Sequence, residues 1–239
     1  MLNNTFIPFK LMMEILAELH PKSKREKIEK EIKELESFDG FDIPDSPIGL
    51  PSPLPSVIAT IIRGKYADKR IIVNQRLLDV NELFLASLSL TSKLIDFDIA
   101  FTRGDKPKIG KEVGYLTSEQ AILLSKKFNK DLKVGLMISL RKEKEDIIRR
   151  LNFEPADFFL VLRLESDTQL DGLPTSKLIP YVIIRTEKNK EIANTLSQPV
   201  IDENKALDFI YKLEERKVQG VLLSALGDNE ALNRIIIRY

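Results

Sequence analysis

The sequence predicts a single (β/α)8 TIM barrel that spans residues 1–239. Eight apolar segments of strand length recur along the chain, and segments with helical spacing of apolar residues separate them. Strict alternation of this kind predicts a parallel sheet, and eight units in one domain favour a closed barrel over an open doubly wound sheet. No G-x-G-x-x-G motif follows any of these strands, so the phosphate loop of a Rossmann fold is missing.

The predicted strands are short apolar runs that stop at charged residues, prolines or glycines. They cover residues 11–19, 38–43, 70–73, 99–101, 134–140, 157–164, 181–185 and 218–224. The clearest of them is Ile99–Phe101, which is followed closely by Arg103, Gly104 and Asp105. Because its residues are apolar on both faces, it is expected to be buried on both faces, as parallel strands are.

The predicted helices carry apolar residues at helical spacing on an otherwise charged surface. They cover residues 23–36, 56–63, 81–94, 117–129, 142–151, 191–196, 205–217 and 229–239. Thr117 or Ser118 is expected to cap one of them. Residues 44–55 contain too many prolines for regular structure, and residues 167–180 have no clear period. We therefore expect irregular structure around strands seven and eight.

Composition removes several classes of function. The chain has no cysteine and only one histidine, His20, so disulfides, thiolate nucleophiles, histidine-based triads and metal sites are not expected. With 37 basic and 36 acidic residues it has no basic field for nucleic acid. No apolar run reaches the length of a membrane span and no secretory cleavage pattern opens the chain, so a cytoplasmic protein is expected.

Polar residues follow most of the predicted strands, and a barrel gathers strand ends at one mouth. Taken singly, most of them are explained as ordinary loop charge, and His20 beside Pro21 is explained as a structural histidine. Together, several arginines and carboxylates suit an anionic, partly planar ligand. These residues are Glu18, His20, Asp45, Gln75, Arg76, Arg103, Asp105, Arg163, Glu165 and Arg185.

Several segments resemble motifs of the methylenetetrahydrofolate reductase family, whose members are flavin-bearing (β/α)8 barrels. The most specific is Arg103-Gly104-Asp105-Lys106-Pro107, which is similar to the family's R-G-D-x-P segment and has Tyr115 beyond it. The others are the E-x-x-P end of residues 13–21, the D-x-P-x-G-x-P pattern of residues 45–51, and weaker similarities at residues 81–88 and 156–159. They occur in the family's order and cover roughly residues 11–165.

The resemblance implies a flavin enzyme, with FAD or FMN, that takes hydride from NAD(P)H and passes it to the methylene carbon of a reduced, folate-like pterin. Glu18 would be the general acid that helps to open the bridged pterin, and Asp105 would lie beside the flavin ring as a second catalytic residue. The remaining assignments are Asn74, Arg76, Arg103, Gly104, Asp105 and Tyr115 to the flavin cofactor, and Asp45 and Arg163 to the substrate.

The chain also differs from the family's pattern. Helix 142–151 follows strand five almost directly, where the family has a long loop for the adenosine half of FAD, and Leu160–Arg163 lacks the family's glutamine. Two alternatives therefore stay open. One is a catalytically silent barrel that serves as a subunit or partner of another one-carbon enzyme. Whether the chain forms a homo-oligomer or is a subunit of a hetero-complex also stays open. The other is a flavin-free, pterin-binding methyltransferase-type barrel with Asp45 and Asn74 on the pterin ring.

Overall fold

The apolar segments of the sequence form a closed barrel of parallel strands in the computed structural model, which describes residues 13–239. Each barrel strand pairs with the next, and the last pairs with the first. The barrel strands are β1 (Glu14–Glu18), β2 (Gly40–Pro44), β3 (Arg70–Arg76), β4 (Asp98–Thr102), β5 (Val134–Ser139), β6 (Phe158–Leu162), β7 (Leu178–Arg185) and β9 (Gly220–Ser224). The prediction of a TIM barrel is confirmed. The predicted start of the first strand at Leu11 lies outside the described residues.

Helices pack around the strands. They are α1 (Arg25–Glu34), α2 (Pro55–Arg63), α3 (Glu82–Ile95), α4 (Ser118–Phe128), α5 (Lys144–Leu151), α6 (Lys190–Thr195), α7 (Glu203–Glu215) and α8 (Asn229–Ile236). The N-terminus of α4 carries the expected cap, since Thr117 and Gln120 form a reciprocal capping box. Within the described part of the chain, no helix is both long and apolar enough to cross a bilayer.

The prediction that strands and helices alternate strictly is wrong in one region. Only a 3-10 helix, Asp167–Leu170, connects β6 to β7, and an additional strand, β8 (Val200–Asp202), pairs with the end of β7. Strand β7 also begins at Leu178 and not at residue 181, because Leu178–Pro180 pair with β6 although proline weakens a strand assignment. The irregularity expected from residues 167–180 is therefore present, at the β6–β7 connection.

The barrel is closed at its N-terminal end. The Arg70 guanidinium donates to Glu14 Oε2 at 2.5 Å and to Asp98 Oδ2 at 2.9 Å, and it lies 4.9 Å from the centre of the Phe158 ring. Gly135 makes room for that ring, since a Cβ there would lie 2.3 Å from it. Above Arg70 and Phe158, an apolar cluster fills the interior of the barrel. It contains Leu16, Ile72, Ala100, Leu160, Ile179 and Leu222. Among residues 13–239, the filled N-terminal end leaves the C-terminal mouth as the side from which a ligand can enter.

Candidate functional site

A cavity of about 440 Å³ lies at the barrel mouth, and every one of the eight barrel strands contributes to its wall. A volume of this size holds a small organic ligand. The strand residues in this wall are Glu18, Asp42, Pro44, Asn74, Arg76, Thr102, Met137, Leu160, Leu162, Tyr181 and Leu222. The side formed by β1–β3 is polar and the side formed by β5, β6 and β9 is apolar. This division suits a planar ring that has hydrogen-bonding groups along one edge.

Glu18 stands at the end of β1 with its side chain 11% exposed. The Tyr181 hydroxyl donates a hydrogen bond to Glu18 Oε2 at 2.9 Å, and His20 Nε2 lies 3.3 Å from the same oxygen. Burial and the nearby Glu18 charge raise the pKa of Tyr181 well above its usual value. Tyr181 therefore remains a neutral donor that orients the carboxyl group of Glu18.

Asp42 is a site residue that the sequence analysis missed. It faces Glu18 across the β1–β2 pairing, is 1% exposed, and accepts a hydrogen bond from Asn74 Nδ2 at 2.6 Å. Burial, and then the neighbouring Glu18, raise the pKa of Asp42 well above its usual value. A signal was present in the sequence, because an aspartate between Phe41 and Ile43 is unusual in a buried strand.

Arg76 lines the cavity, but its guanidinium is occupied by protein oxygens. It donates to the Ser46 carbonyl at 2.9 Å and to the Asp105 carbonyl, and it pairs with Asp79. Arg76 therefore ties the β2–α2 loop to the β4–α4 loop. Its predicted contact with a cofactor remains a prediction.

Asp45 also lines the cavity and is also satisfied by the protein. One oxygen accepts from Gln75 Nε2 at 2.9 Å, and the other accepts from Ser46 Oγ at 3.0 Å. Burial raises the pKa of Asp45 despite these donors. The geometry gives Asp45 a role in shaping the β2–α2 loop, and its predicted contact with substrate remains a prediction.

Arg103, Gly104 and Asp105 form the rim on the β4 side. Gly104 has φ +83°, and a Cβ there would lie 2.8 Å from the Cβ of Arg76, so the tight turn requires glycine. The Arg103 and Asp105 side chains are exposed. Neither forms a side-chain hydrogen bond or ion pair with another residue of the described chain. A free cation and a free carboxylate are thus available to a ligand.

Two predicted site residues lie outside the cavity. Tyr115 is 55% exposed and donates to Glu82 on α3. Arg163, at φ 66°, binds the carbonyl and hydroxyl of Ser197. By holding Ser197, it positions the next residue, Gln198, which does line the cavity. No pattern in the sequence predicts that Gln198 lines the cavity, because its position depends on how the connection between α6 and β8 folds.

A second cavity, of about 620 Å³, adjoins the first and shares Thr102, Met137 and Leu162 with it. Its outer wall carries Lys142, Arg149 and Arg150 together with Glu119 and Asp146. The connection from β5 to α5 is only residues 140–143, and it contributes Lys142 to the outer wall. Across residues 13–239, no group of three or more histidine, aspartate or glutamate side chains is arranged to hold a metal ion.

No protein-family model and no curated protein matches this chain. Solved structures do match it along nearly its whole length. An uncharacterized protein from Clostridium thermocellum that binds two copies of 5-methyl-5,6,7,8-tetrahydrofolic acid matches with a TM-score of 0.63 at 13% identity, over 95% of this chain and 93% of that one. EDTA monooxygenase from Chelativorans sp. BNC1 matches with a TM-score of 0.62 at 10% identity, over 95% and 93%.

A third match is riboflavin lyase with modified FMN and riboflavin, with a TM-score of 0.65 at 7% identity, over 94% of this chain and 90% of that one. At such low identities the matches show the fold alone. The chain is thus a TIM barrel whose structural neighbours include a protein that binds a reduced folate and a protein that binds a flavin.

Proposed function

We propose that this chain is an enzyme that binds a reduced, folate-like pterin in the mouth cavity and reduces its methylene group to a methyl group. The observation that carries the proposal is Glu18, a carboxyl group held by Tyr181 at the bottom of a half-polar, half-apolar cavity. The resemblance to the methylenetetrahydrofolate reductase family and the folate-binding structural neighbour both support it.

Glu18 would hold the proton that this reaction consumes. Hydride adds to the methylene carbon, the bond from that carbon to one bridge nitrogen breaks, and that nitrogen takes a proton. Glu18 can give this proton because it lines the cavity, and Tyr181 can then donate its hydrogen bond to the resulting carboxylate. His20 is partly exposed and contacts the same Glu18 oxygen, so it can return a proton from solvent.

The flavin implied by the resemblance fits the rim. Arg103 offers an unpaired cation for a phosphate group, and the adjoining cavity gives room for a second ring system beside the pterin. When bound, the flavin supplies the hydride that it has taken from NAD(P)H. Asp105 would lie beside the flavin ring, and Gly104 would let the backbone come close to the cofactor.

A flavin-free pterin-binding barrel is the second candidate. The observation that favours it is the β5–α5 connection of residues 140–143, which is too short to cover the adenosine half of FAD. This candidate keeps the pterin in the same cavity and needs no reductant.

The absorbance spectrum of the purified protein separates the two candidates. The proposal expects a yellow protein, or one that becomes yellow with added FMN or FAD, whose flavin band bleaches with NADH or NADPH and returns with methylenetetrahydrofolate. Arg103→Gln should weaken flavin retention, whereas Arg25→Gln should leave it unchanged, because Arg25 is an exposed residue of α1 that pairs with Glu29 and does not line the cavity. A protein that binds 5-methyltetrahydrofolate but no flavin would favour the second candidate. A protein that binds neither would favour the catalytically silent barrel.

A further inference from the structure

Two buried side chains at the floor of the mouth cavity carry oxygen atoms without a partner. They are Asp42 Oδ1 and Asn74 Oδ1, and neither has a hydrogen bond within the described residues. Asp42 is 1% exposed and Asn74 is 7% exposed, and both line the cavity. Buried polar atoms are almost always hydrogen-bonded in folded proteins, so two such oxygens in one cavity point to a missing ligand.

The two side chains hold each other in a fixed orientation. Asn74 Nδ2 donates to Asp42 Oδ2 at 2.6 Å, which leaves the Oδ1 atom of each residue for a third group. Around Asp42 stand Glu18 on β1 and Tyr181 on β7, with Arg70 at the closed end of the barrel. Burial favours the protonated form of Asp42.

A protonated Asp42 gives the floor one donor beside one acceptor. The proton belongs on Oδ1, because Oδ2 already accepts from Asn74. The acceptor is Asn74 Oδ1. The complementary ligand edge is a carbonyl oxygen next to a ring N–H, which is the cis-lactam edge of a pyrimidinone fused to a second ring.

We propose that Asp42 and Asn74 form a recognition site for the lactam edge of a fused pyrimidinone, with Asp42 donating to the ring carbonyl and Asn74 accepting from the ring N–H. The inference rests on the proposed function and deepens it, because a pterin carries this edge. The ring then stands with its polar edge on the β2–β3 floor and with Glu18 beside it. A flavin presents a similar edge, so the experiment includes both ligands.

The test is a calorimetric titration of the purified protein with 5-methyltetrahydrofolate and, separately, with FMN. Asn74→Ala and Asp42→Ala should each weaken pterin binding about tenfold or more, as expected when a ligand group loses its partner. Asp42→Asn should stay within about threefold of the wild type, because an amide can also donate to the carbonyl and accept from Asn74. The control is Asn129→Ala, an equally buried asparagine that binds Ser89 and Ser92 away from the cavity.

Each result decides the inference. Pterin binding by the wild type that is unchanged in Asn74→Ala and Asp42→Ala would overturn the inference and leave the proposed function standing. Loss of binding in Asp42→Asn equal to that in Asp42→Ala would overturn it too, because Asp42 would then act as a carboxylate acceptor. FMN binding weakened by the same substitutions, without pterin binding, would support the lactam site and overturn the proposed substrate. Absence of binding to both ligands would overturn both proposals. If Asp42→Ala does not fold, Asn74→Ala and Asp42→Asn carry the test.

Discussion

Replacement of Tyr181 by phenylalanine isolates the contact that positions the proposed acid. The Tyr181 hydroxyl is buried and donates to Glu18 Oε2 at 2.9 Å. Phenylalanine keeps the ring and therefore the shape of the cavity wall. The change removes the donor that would stabilise the Glu18 carboxylate after it has given up its proton, together with the hydrogen bond between the hydroxyl and Ser224.

The size of the effect follows from that one hydrogen bond. A hydrogen bond to a charged group contributes about 1.5–3 kcal/mol. Since about 1.4 kcal/mol corresponds to a tenfold change in rate, Tyr181→Phe should slow proton-coupled reduction of the pterin about 10- to 150-fold. Binding of the pterin should change little, because the hydroxyl points at Glu18 and not at the ligand.

The assay compares turnover with ligand affinity in Tyr181→Phe and in a matched control. Tyr66→Phe is that control, since the Tyr66 hydroxyl donates to Glu36 at 2.8 Å in the same type of tyrosine–glutamate pair, away from the mouth. The control should keep full turnover. Unchanged turnover in Tyr181→Phe, or equal losses in turnover and in affinity, would refute the positioning role of Tyr181.

Three further predictions test the rim, the loop contact and the floor. Asp105→Asn should raise the midpoint potential of bound flavin, since a carboxylate beside the ring repels the negative charge of the reduced form. An unchanged potential in a redox titration would show that Asp105 does not lie beside the flavin ring. Gly49→Ala should lower the free energy of unfolding by about 1–3 kcal/mol, because Gly49 has φ +74° and a Cβ there would lie 2.1 Å from the Lys106 carbonyl. The free energies are measured by urea titration. Gly110→Ala, at φ +91° with no atom within 4 Å of the added Cβ, is the control for backbone strain alone. The pKa of Asp42 is raised in the folded state, so the folded protein keeps a proton that the unfolded chain releases at about pH 3.9. The free energy of unfolding of the wild type should therefore fall as the pH rises above that value. Asp42→Asn should lose less stability between about pH 5 and about pH 8 than the wild type does. Equal losses in the two proteins would contradict a protonated Asp42 in the folded wild type.

Strand ends were the most predictable part of the site. Arg103, Gly104 and Asp105 follow an apolar run, and the parallel barrel places such residues at the mouth whatever their distance along the chain. The end of β3 was less clear, because Asn74 and Arg76 are polar residues typical of a loop. In the structure they continue the pairing with β4 and are buried.

Other parts of the site depend on tertiary contacts that local patterns do not contain. Asp42 lies inside a strand, where the alternation of faces, and not the strand end, brings it into the cavity. Gln198 lines the cavity next to Ser197, whose carbonyl accepts from both Arg141 and Arg163 across the barrel rim. The start of β7 was missed because Pro180 interrupts its pattern, whereas pairing with β6 keeps the strand in place.

The most direct test of the central claim is to time the two half-reactions of Glu18→Gln in rapid mixing. Glutamine keeps the shape and the hydrogen bond from Tyr181 but has no proton to give. Flavin reduction by NAD(P)H should proceed at the wild-type rate, and reoxidation by methylenetetrahydrofolate should slow by about a hundred- to ten-thousand-fold. Glu165→Gln, an exposed glutamate that does not line the cavity, should leave both steps unchanged. Equal losses in both half-reactions of Glu18→Gln, or an unimpaired second step, would contradict the claim that Glu18 donates the proton.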